Sequence, residues 1–124
     1  MRKLIYALII WVIVLFLHFF GMKNGWYVAI PSYDIVVHGL GGLGIGYLLL
    51  FVAQKILPTY ISFWKVFLFV LFSSLFIGLM WEIFEYIYDI AVIPREDYVT
   101  DTLMDLFMDI FGSLTATFLY LKNK

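Results

Sequence analysis

The sequence predicts an all-α fold: a four-helix transmembrane bundle with antiparallel neighbours, forming a single domain over residues 1–124. Two observations predict it. Hydrophobic residues make up 65% of the chain and the mean hydropathy is +1.00, whereas soluble domains are about 45–50% apolar. These residues form long runs separated by short polar connectors, and one transmembrane helix needs about 20 of them. A soluble globular domain is therefore excluded, which leaves a polytopic membrane protein.

Four spans are predicted, over residues 4–20, 34–53, 65–93 and 101–121. Arg2 and Lys3 precede the first span, but no small-residue cleavage site follows it, so we interpret this span as an uncleaved anchor. The second span contains five glycines: Gly39, Gly41, Gly42, Gly44 and Gly46. Because no strand precedes them, we expect these glycines to mediate helix packing and not to form a phosphate-binding loop.

The basic residues predict that the N-terminus and the C-terminus are both cytoplasmic. Cytoplasmic loops of membrane proteins carry the excess of Lys and Arg. In this orientation Lys23 and Arg95 would lie outside, and six basic residues would lie inside: Arg2, Lys3, Lys55, Lys65, Lys122 and Lys124. We therefore expect a multi-pass protein of the plasma membrane, with the lysines as topology determinants and no nucleic-acid surface.

Span four carries a carboxylate at every fourth residue: Asp101, Asp105 and Asp109. Because successive helical residues turn by about 100°, these three side chains share one face. The residues between them are mainly Leu, Met, Phe and Ile, which suit lipid. All nine acidic residues of the chain fall in the outer half of the predicted bundle or in its outer loop. The pattern indicates a membrane helix that turns an acidic face toward other protein.

Spans two and three carry matching polar faces. Glu82 and Glu85 share one face of span three, and Asp34 and His38 lie one turn apart at the start of span two. In each stripe the outer half is ionisable and the inner half consists of small residues, which let helices approach closely in a membrane. We expect three helices that pack tightly at the cytoplasmic end and open outward around a polar pocket.

Carboxylates gathered at this depth predict a metal site. Charged groups in the hydrocarbon region are costly, and two unit charges about 4 Å apart repel by about 4 kcal/mol at an effective dielectric of about 20. Either most of the acids are protonated or a cation lies among them. An oxygen-rich site with one imidazole suits Mg²⁺ or Mn²⁺, with Fe or Zn as alternatives. Six residues are the candidate ligands of one or two divalent ions: Asp34, His38, Glu82, Glu85, Asp105 and Asp109.

The same residues resemble those of the VanZ-like and YjdF-like small membrane proteins. Three motifs carry the resemblance, in this order: Tyr33-Asp34-x-x-x-His38, Trp81-Glu82-x-x-Glu85 and Asp101-Thr102-x-x-Asp105-x-x-x-Asp109-x-x-Gly112. The resemblance implies a multi-span membrane protein and, for some VanZ-like members, resistance to glycopeptide antibiotics.

The leading functional hypothesis is a metal-dependent hydrolase or transferase acting on a lipid-linked, phosphorylated substrate at the outer leaflet. The ion would bridge phosphate oxygens and activate a water, and Asp109 or Glu82 would act as general base. Two alternatives stay open: a protein that handles cations or protons, and a non-catalytic protein that binds lipid or a glycopeptide antibiotic. The expected partner is membrane lipid or a lipid-linked substrate, and a homo-oligomer also stays open. His18 has no acidic companion on its own helix and is expected to be structural or interfacial.

Overall fold

A computed structural model shows four long helices joined by short connectors. The structure describes residues 1–30, 32–58, 62–88 and 97–122. These residues contain no strand, and their helices are α1 (Arg2–Lys23), α2 (Trp26–Ala29), α3 (Tyr33–Ile56), α4 (Phe63–Tyr88) and α5 (Tyr98–Lys122). The four long helices are each long and apolar enough to cross a membrane. The predicted all-α, four-helix transmembrane fold is confirmed.

The observed helices extend beyond the predicted spans at several ends, because helical hydrogen bonding continues past the most apolar residues. α5, for example, begins at Tyr98 and not at Asp101. The short helix α2 lies in the first connector, where Gly25 adopts a φ of 68°, a conformation that glycine reaches without steric cost. The predicted end of span three lies outside the described residues.

Helix α3 is the centre of the bundle. In the described part of the chain, α3 packs against α1, α4 and α5, whereas α1 makes no close backbone approach to α4 or α5. Helices consecutive along the chain are antiparallel, as expected. The closest pair, α3 and α5, is parallel: Asp105 lies beside His38, and Tyr120 lies beside Gln54 toward the other ends. Antiparallel packing cannot hold for this pair, because two helices separated by one span must run the same way.

Glycines allow the backbones of α3 and α5 to touch. A Cβ added at Gly42 would overlap the backbone carbonyl of Asp109, and one added at Gly112 would overlap the carbonyl of Gly39. Close backbone approach at small residues is a main source of helix association in membranes. The two helices therefore form a tightly packed parallel pair that fixes the relative positions of their side chains.

The bundle has two chemically different ends. At the acidic end, α3 and α5 begin and α4 ends. At the opposite, basic end, α1 and α4 begin, and α3 and α5 end. The apolar core lies toward the basic end and consists of Ile45, Leu49, Leu50, Val70 and Ala116. Large apolar side chains such as Val12, Phe72 and Phe107 are more than 60% exposed, which suits contact with lipid and not with water.

Candidate functional site

Carboxylates from α3 and α5 surround the buried imidazole of His38 at the acidic end. Its Nε2 lies 3.6 Å from Oδ1 of Asp34 and 3.8 Å from Oδ2 of Asp105. Its Nδ1 lies 3.3 Å from Oδ1 of Asp109. His38 is 8% exposed, and Asp105 and Asp109 are 2% and 5% exposed. One imidazole thus has carboxylates beside both of its ring nitrogens.

The parallel packing of α3 and α5 explains this arrangement. Asp34 and His38 are four residues apart on α3, and Asp105 and Asp109 are four residues apart on α5. Four residues rise by about 6 Å along a helix. Because the helices run in the same direction and their glycines hold them close, the two pairs face each other turn by turn.

Helix α4 adds two further carboxylates. Oε2 of Glu82 accepts a hydrogen bond of 2.8 Å from the hydroxyl of Thr102 on α5. Oε1 of Glu82 is buried and has no hydrogen-bond partner among the described residues, and the whole residue is 4% exposed. Glu85 lies one turn further along α4 and is half-buried. A buried carboxylate oxygen without a partner is unfavourable, so the position of Glu82 points to a ligand.

Five of the six predicted ligands fall into two sets whose ligand atoms lie within 4.8 Å of one another: Asp34, His38 and Asp105, and His38, Glu82 and Glu85. Because Nδ1 of His38 faces Asp109, Nε2 is the nitrogen left for a cation. The two sets have His38 in common. In an octahedral site with bonds of about 2.1 Å, neighbouring ligands lie about 3.0 Å apart and opposite ligands about 4.2 Å. The separations of 3.6 Å and 3.8 Å between Nε2 of His38 and the carboxylate oxygens of Asp34 and Asp105 lie between these two values.

The sixth predicted ligand, Asp109, has a different position. It belongs to neither set, and its carboxylate accepts a hydrogen bond from Nδ1 of His38. A carboxylate on the far nitrogen of a ligating histidine fixes the tautomer and the orientation of the ring. A Cβ added at Gly78 would come within 2.9 Å of Oδ2 of Asp109, so the glycine leaves room for this carboxylate. The geometry of Asp109 fits a positioning residue better than a direct ligand or a base.

A cavity of about 100 Å³ leads to the cluster from between α1, α3 and α4. Its apolar wall is formed by Trp11, Val14, Leu15, Val37, Ile45 and Ile77. Its polar end is formed by His18, Tyr27, Asp34, His38, Glu85 and Asp109. Gly41 also lines it, and a Cβ added there would meet no atom of the described chain within 4 Å. The cavity therefore combines an apolar channel with a strongly polar end.

The cavity reaches the lipid-facing surface through the space between α1 and α4. Leu15, Ile77 and Trp81 line it and are also 47%, 36% and 38% exposed. Leu15 lies in the middle of α1 and Ile77 in the middle of α4, so this edge faces the hydrocarbon region.

The first connector and α1 contribute side chains to the cavity that the sequence pattern did not indicate. His18 lines the cavity, and its Nδ1 forms a hydrogen bond of 2.8 Å with the hydroxyl of Tyr27. Burial, and then the nearby carboxylate of Asp34, raise the pKa of Tyr27 above its usual range, which keeps this hydroxyl protonated. The expectation that His18 is structural or interfacial rests on its own helix, which holds no acid, and the hydrogen bond to Tyr27 is consistent with a structural role. Only the pairing of α1 with α3 brings it near the cluster.

Thr102 was also missed as a partner of Glu82. It lies within the motif that begins at Asp101, but it is one position off the acidic stripe. Tyr98 adds a second link between α4 and α5, because its hydroxyl donates a hydrogen bond of 2.9 Å to the backbone carbonyl of Glu82. Neither contact has a signal in the sequence, since both depend on how α4 and α5 pair.

Four membrane-spanning helices around a buried cluster of carboxylates and one histidine define a small polytopic membrane protein. The chain belongs to the family described as "Predicted membrane protein (DUF2238)", whose profile matches residues 1–124. No curated protein and no solved structure gives a significant match. The narrower resemblance to VanZ-like and YjdF-like proteins, the plasma membrane and the cytoplasmic termini stay predictions.

Proposed function

We propose that this protein binds a divalent cation between α3, α4 and α5 and uses it to hold the polar head of a membrane-embedded substrate. One observation carries the proposal: Nε2 of His38 lies within 4 Å of carboxylates from α3 and α5, and ligand atoms of Glu82 and Glu85 on α4 lie within 4.8 Å of a ring nitrogen of the same imidazole.

The charge balance of the cluster supports a cation. Within the described ranges, the ion pairs of the cluster all involve His38, and no Lys or Arg takes part. A protonated imidazole supplies one positive charge, fewer than the neighbouring carboxylates can carry. A divalent ion would stabilise the ionised carboxylates, and a water held near it would supply the hydrogen bond that Oε1 of Glu82 lacks. Carboxylate oxygens with a single imidazole favour Mg²⁺ or Mn²⁺, with Fe or Zn as alternatives.

The cavity supports an amphiphilic substrate. Its apolar wall suits a hydrocarbon chain, and its polar end suits a head group. No Lys or Arg is among the described residues that line it, so a phosphate would depend on the metal for its positive contact. We therefore propose a lipid-linked, phosphorylated substrate that enters between α1 and α4.

We assign the proton transfer in such a reaction to Glu82. Thr102 holds one of its carboxylate oxygens, and the other is directed into buried space without a partner in the described chain. A fixed carboxylate with one free oxygen is what a general base for an attacking water or hydroxyl requires. We therefore propose hydrolysis or transfer at the phosphate, with Glu82 as base and Asp109 positioning His38.

Transport of cations or protons is less well supported. A conducting protein needs a polar path from the cluster to the basic end. Ser74, Ser113 and Thr117 are fully buried along that route. Each donates its hydrogen bond to a backbone carbonyl of its own helix, so they do not connect into a chain.

Metal analysis of protein purified in detergent tests the cation site. We expect the wild type to retain a stoichiometric amount of a divalent ion and Asp105→Asn to lose it. Asp97→Asn is the matched control, because Asp97 is an exposed acid just before the same helix. Protein that takes up no divalent ion at micromolar concentration, or an Asp105→Asn variant that binds as well as the wild type, would refute the proposal.

Activity assays then separate catalysis from binding. Turnover of a phosphorylated lipid that stops on chelation would support the enzyme. Metal-dependent binding of the lipid without turnover would instead support the non-catalytic alternative, of which binding to a glycopeptide antibiotic is one form.

A further inference from the structure

We propose a second binding site, at the basic end of the bundle, that takes a phosphate group such as the head group of an anionic membrane lipid. It is independent of the metal site. The pocket has a volume of about 410 Å³ and is lined by Met1, Arg2, Lys3, Tyr6, Tyr47, Gln54, Leu119 and Tyr120.

Lys3 is the residue on which the proposal rests. It is only 7% exposed, and its Nζ has no hydrogen-bond partner in the described part of the chain. Nζ lies over the ring of Tyr120, 3.6 Å from the ring centroid. An ammonium group removed from water without an anion is strongly unfavourable, and the face of one ring compensates only part of that cost. An anion in the pocket would supply the missing partner.

Burial distinguishes Lys3 from a lysine that only sets topology. A topology determinant needs to stay on one side of the membrane and gains nothing from burial. Lys65 belongs to the same end of the bundle, at the start of α4, and is exposed. Lys3 is instead buried between α1, α3 and α5, where it lines the pocket, and a change of its rotamer would bring Nζ to an anion held there.

The other lining groups suit a phosphate. Arg2 adds a second positive charge, and no Asp or Glu is among the described lining residues. Nε2 of Gln54 donates a hydrogen bond of 3.1 Å to the hydroxyl oxygen of Tyr120, which leaves the hydroxyl hydrogen of Tyr120 for an acceptor. Charged donors together with neutral donors are typical of phosphate recognition.

The position of the pocket favours a lipid as the source of the phosphate. Lys3 lies in the first turn of α1, at the level where a spanning helix meets the head groups. Tyr6 and Leu119 line the pocket and are 49% and 44% exposed, so the pocket opens to the side of the bundle. Basic residues near the cytoplasmic leaflet are attracted to anionic lipids.

Thermal unfolding of the full chain in neutral detergent, with added lipid, tests this site. We expect phosphatidylglycerol to raise the Tm of the wild type more than phosphatidylcholine does. Lys3→Met should weaken the apparent affinity for phosphatidylglycerol about tenfold, the effect of losing one charge-assisted hydrogen bond. Lys65→Met, an identical change of charge at an exposed position of the same end, should leave the affinity unchanged.

Inorganic phosphate separates the two sources of the ligand. If phosphate alone reproduces the shift, and Lys3→Met abolishes that effect, the site binds free phosphate. If Lys3→Met does not fold, Arg2→Gln at an exposed position replaces it and should also weaken binding. No preference for the anionic lipid and no effect of phosphate, or equal affinities in wild type and variant, would overturn the proposal. We expect Lys3→Met, Arg2→Gln and Lys65→Met to keep the metal content of the wild type. Failure of this proposal can therefore be distinguished from failure of the metal site at the acidic end.

Discussion

Two adjacent glycines on α3 should respond in opposite ways to the same substitution. Gly42→Ala places a Cβ on the backbone carbonyl of Asp109, whereas Gly41→Ala places one in the open cavity, where it meets no described atom within 4 Å. Both changes add one methyl group to the same turn of the same helix. Any difference between them therefore reports the local packing and not helix propensity.

The magnitudes follow from the two environments. Replacing a mid-helix glycine by alanine favours the helix by about 1 kcal/mol, so Gly41→Ala should be neutral or stabilising by up to about that amount. Overpacking against a backbone atom, which cannot rotate away, costs about 1–3 kcal/mol. Gly42→Ala should therefore be less stable than Gly41→Ala by about 1–3 kcal/mol. It should also displace Asp109 from His38, because the overlapping atom belongs to the backbone of Asp109.

Unfolding in detergent micelles, followed by circular dichroism, measures the difference in stability, and metal titration measures the effect on the site. Equal loss of stability in the two variants would show that Gly42 does not contact α5 as described. A stable Gly42→Ala variant with unchanged metal affinity would refute the close α3–α5 packing and, with it, the register that forms the site.

Three further predictions address the site itself. Asp109→Asn should retain the divalent ion but lower its affinity about 10- to 100-fold, the usual effect of losing the partner of a ligating histidine. Equilibrium dialysis should show that Asp105→Asn loses more affinity for the ion than Asp109→Asn does. A larger loss in Asp109→Asn would contradict the assignment of Asp105 as a ligand and Asp109 as a positioning residue. Gly41→Leu should fill the cavity and weaken lipid binding without releasing the metal, so lipid affinity equal to that of the wild type would exclude this route. Thr102→Val, which keeps the side-chain shape, should destabilise the protein by about 1–3 kcal/mol because Glu82 loses a hydrogen bond, and an unchanged Tm would show that the bond does not form.

The parts of the structure that sequence could predict are those set by local periodicity. Hydrophobic run lengths gave the four spans. The four-residue spacing of Asp101, Asp105 and Asp109 placed them on one helix face, and Asp34 and His38 were paired for the same reason. These relations hold within one helix, so no knowledge of the neighbours is needed.

The parts that sequence could not predict depend on which helices touch. Four consecutive spans already require α3 and α5 to run in the same direction, but nothing in the sequence indicates that they form the most closely packed pair, or that α1 stays apart from α4. The inclusion of His18 in the cavity and the contact between Thr102 and Glu82 follow from those pairings. The position of Asp109 beside Nδ1 of His38 also depends on the register between α3 and α5. A shift of this register by one residue would separate the two side chains.

The separation of α1 from α4 has a consequence for how this bundle can change. The parallel pair α3 and α5 carries four of the cluster's side chains and is locked by glycine contacts, whereas the outer wall of the cavity comes from α1 and α4. Substitutions at Trp11 or Leu15 can therefore reshape the entrance while the distances around His38 stay fixed. Under the function proposed above, selectivity for the shape of a hydrocarbon tail and the chemistry at its head could thus be altered separately within the same small scaffold.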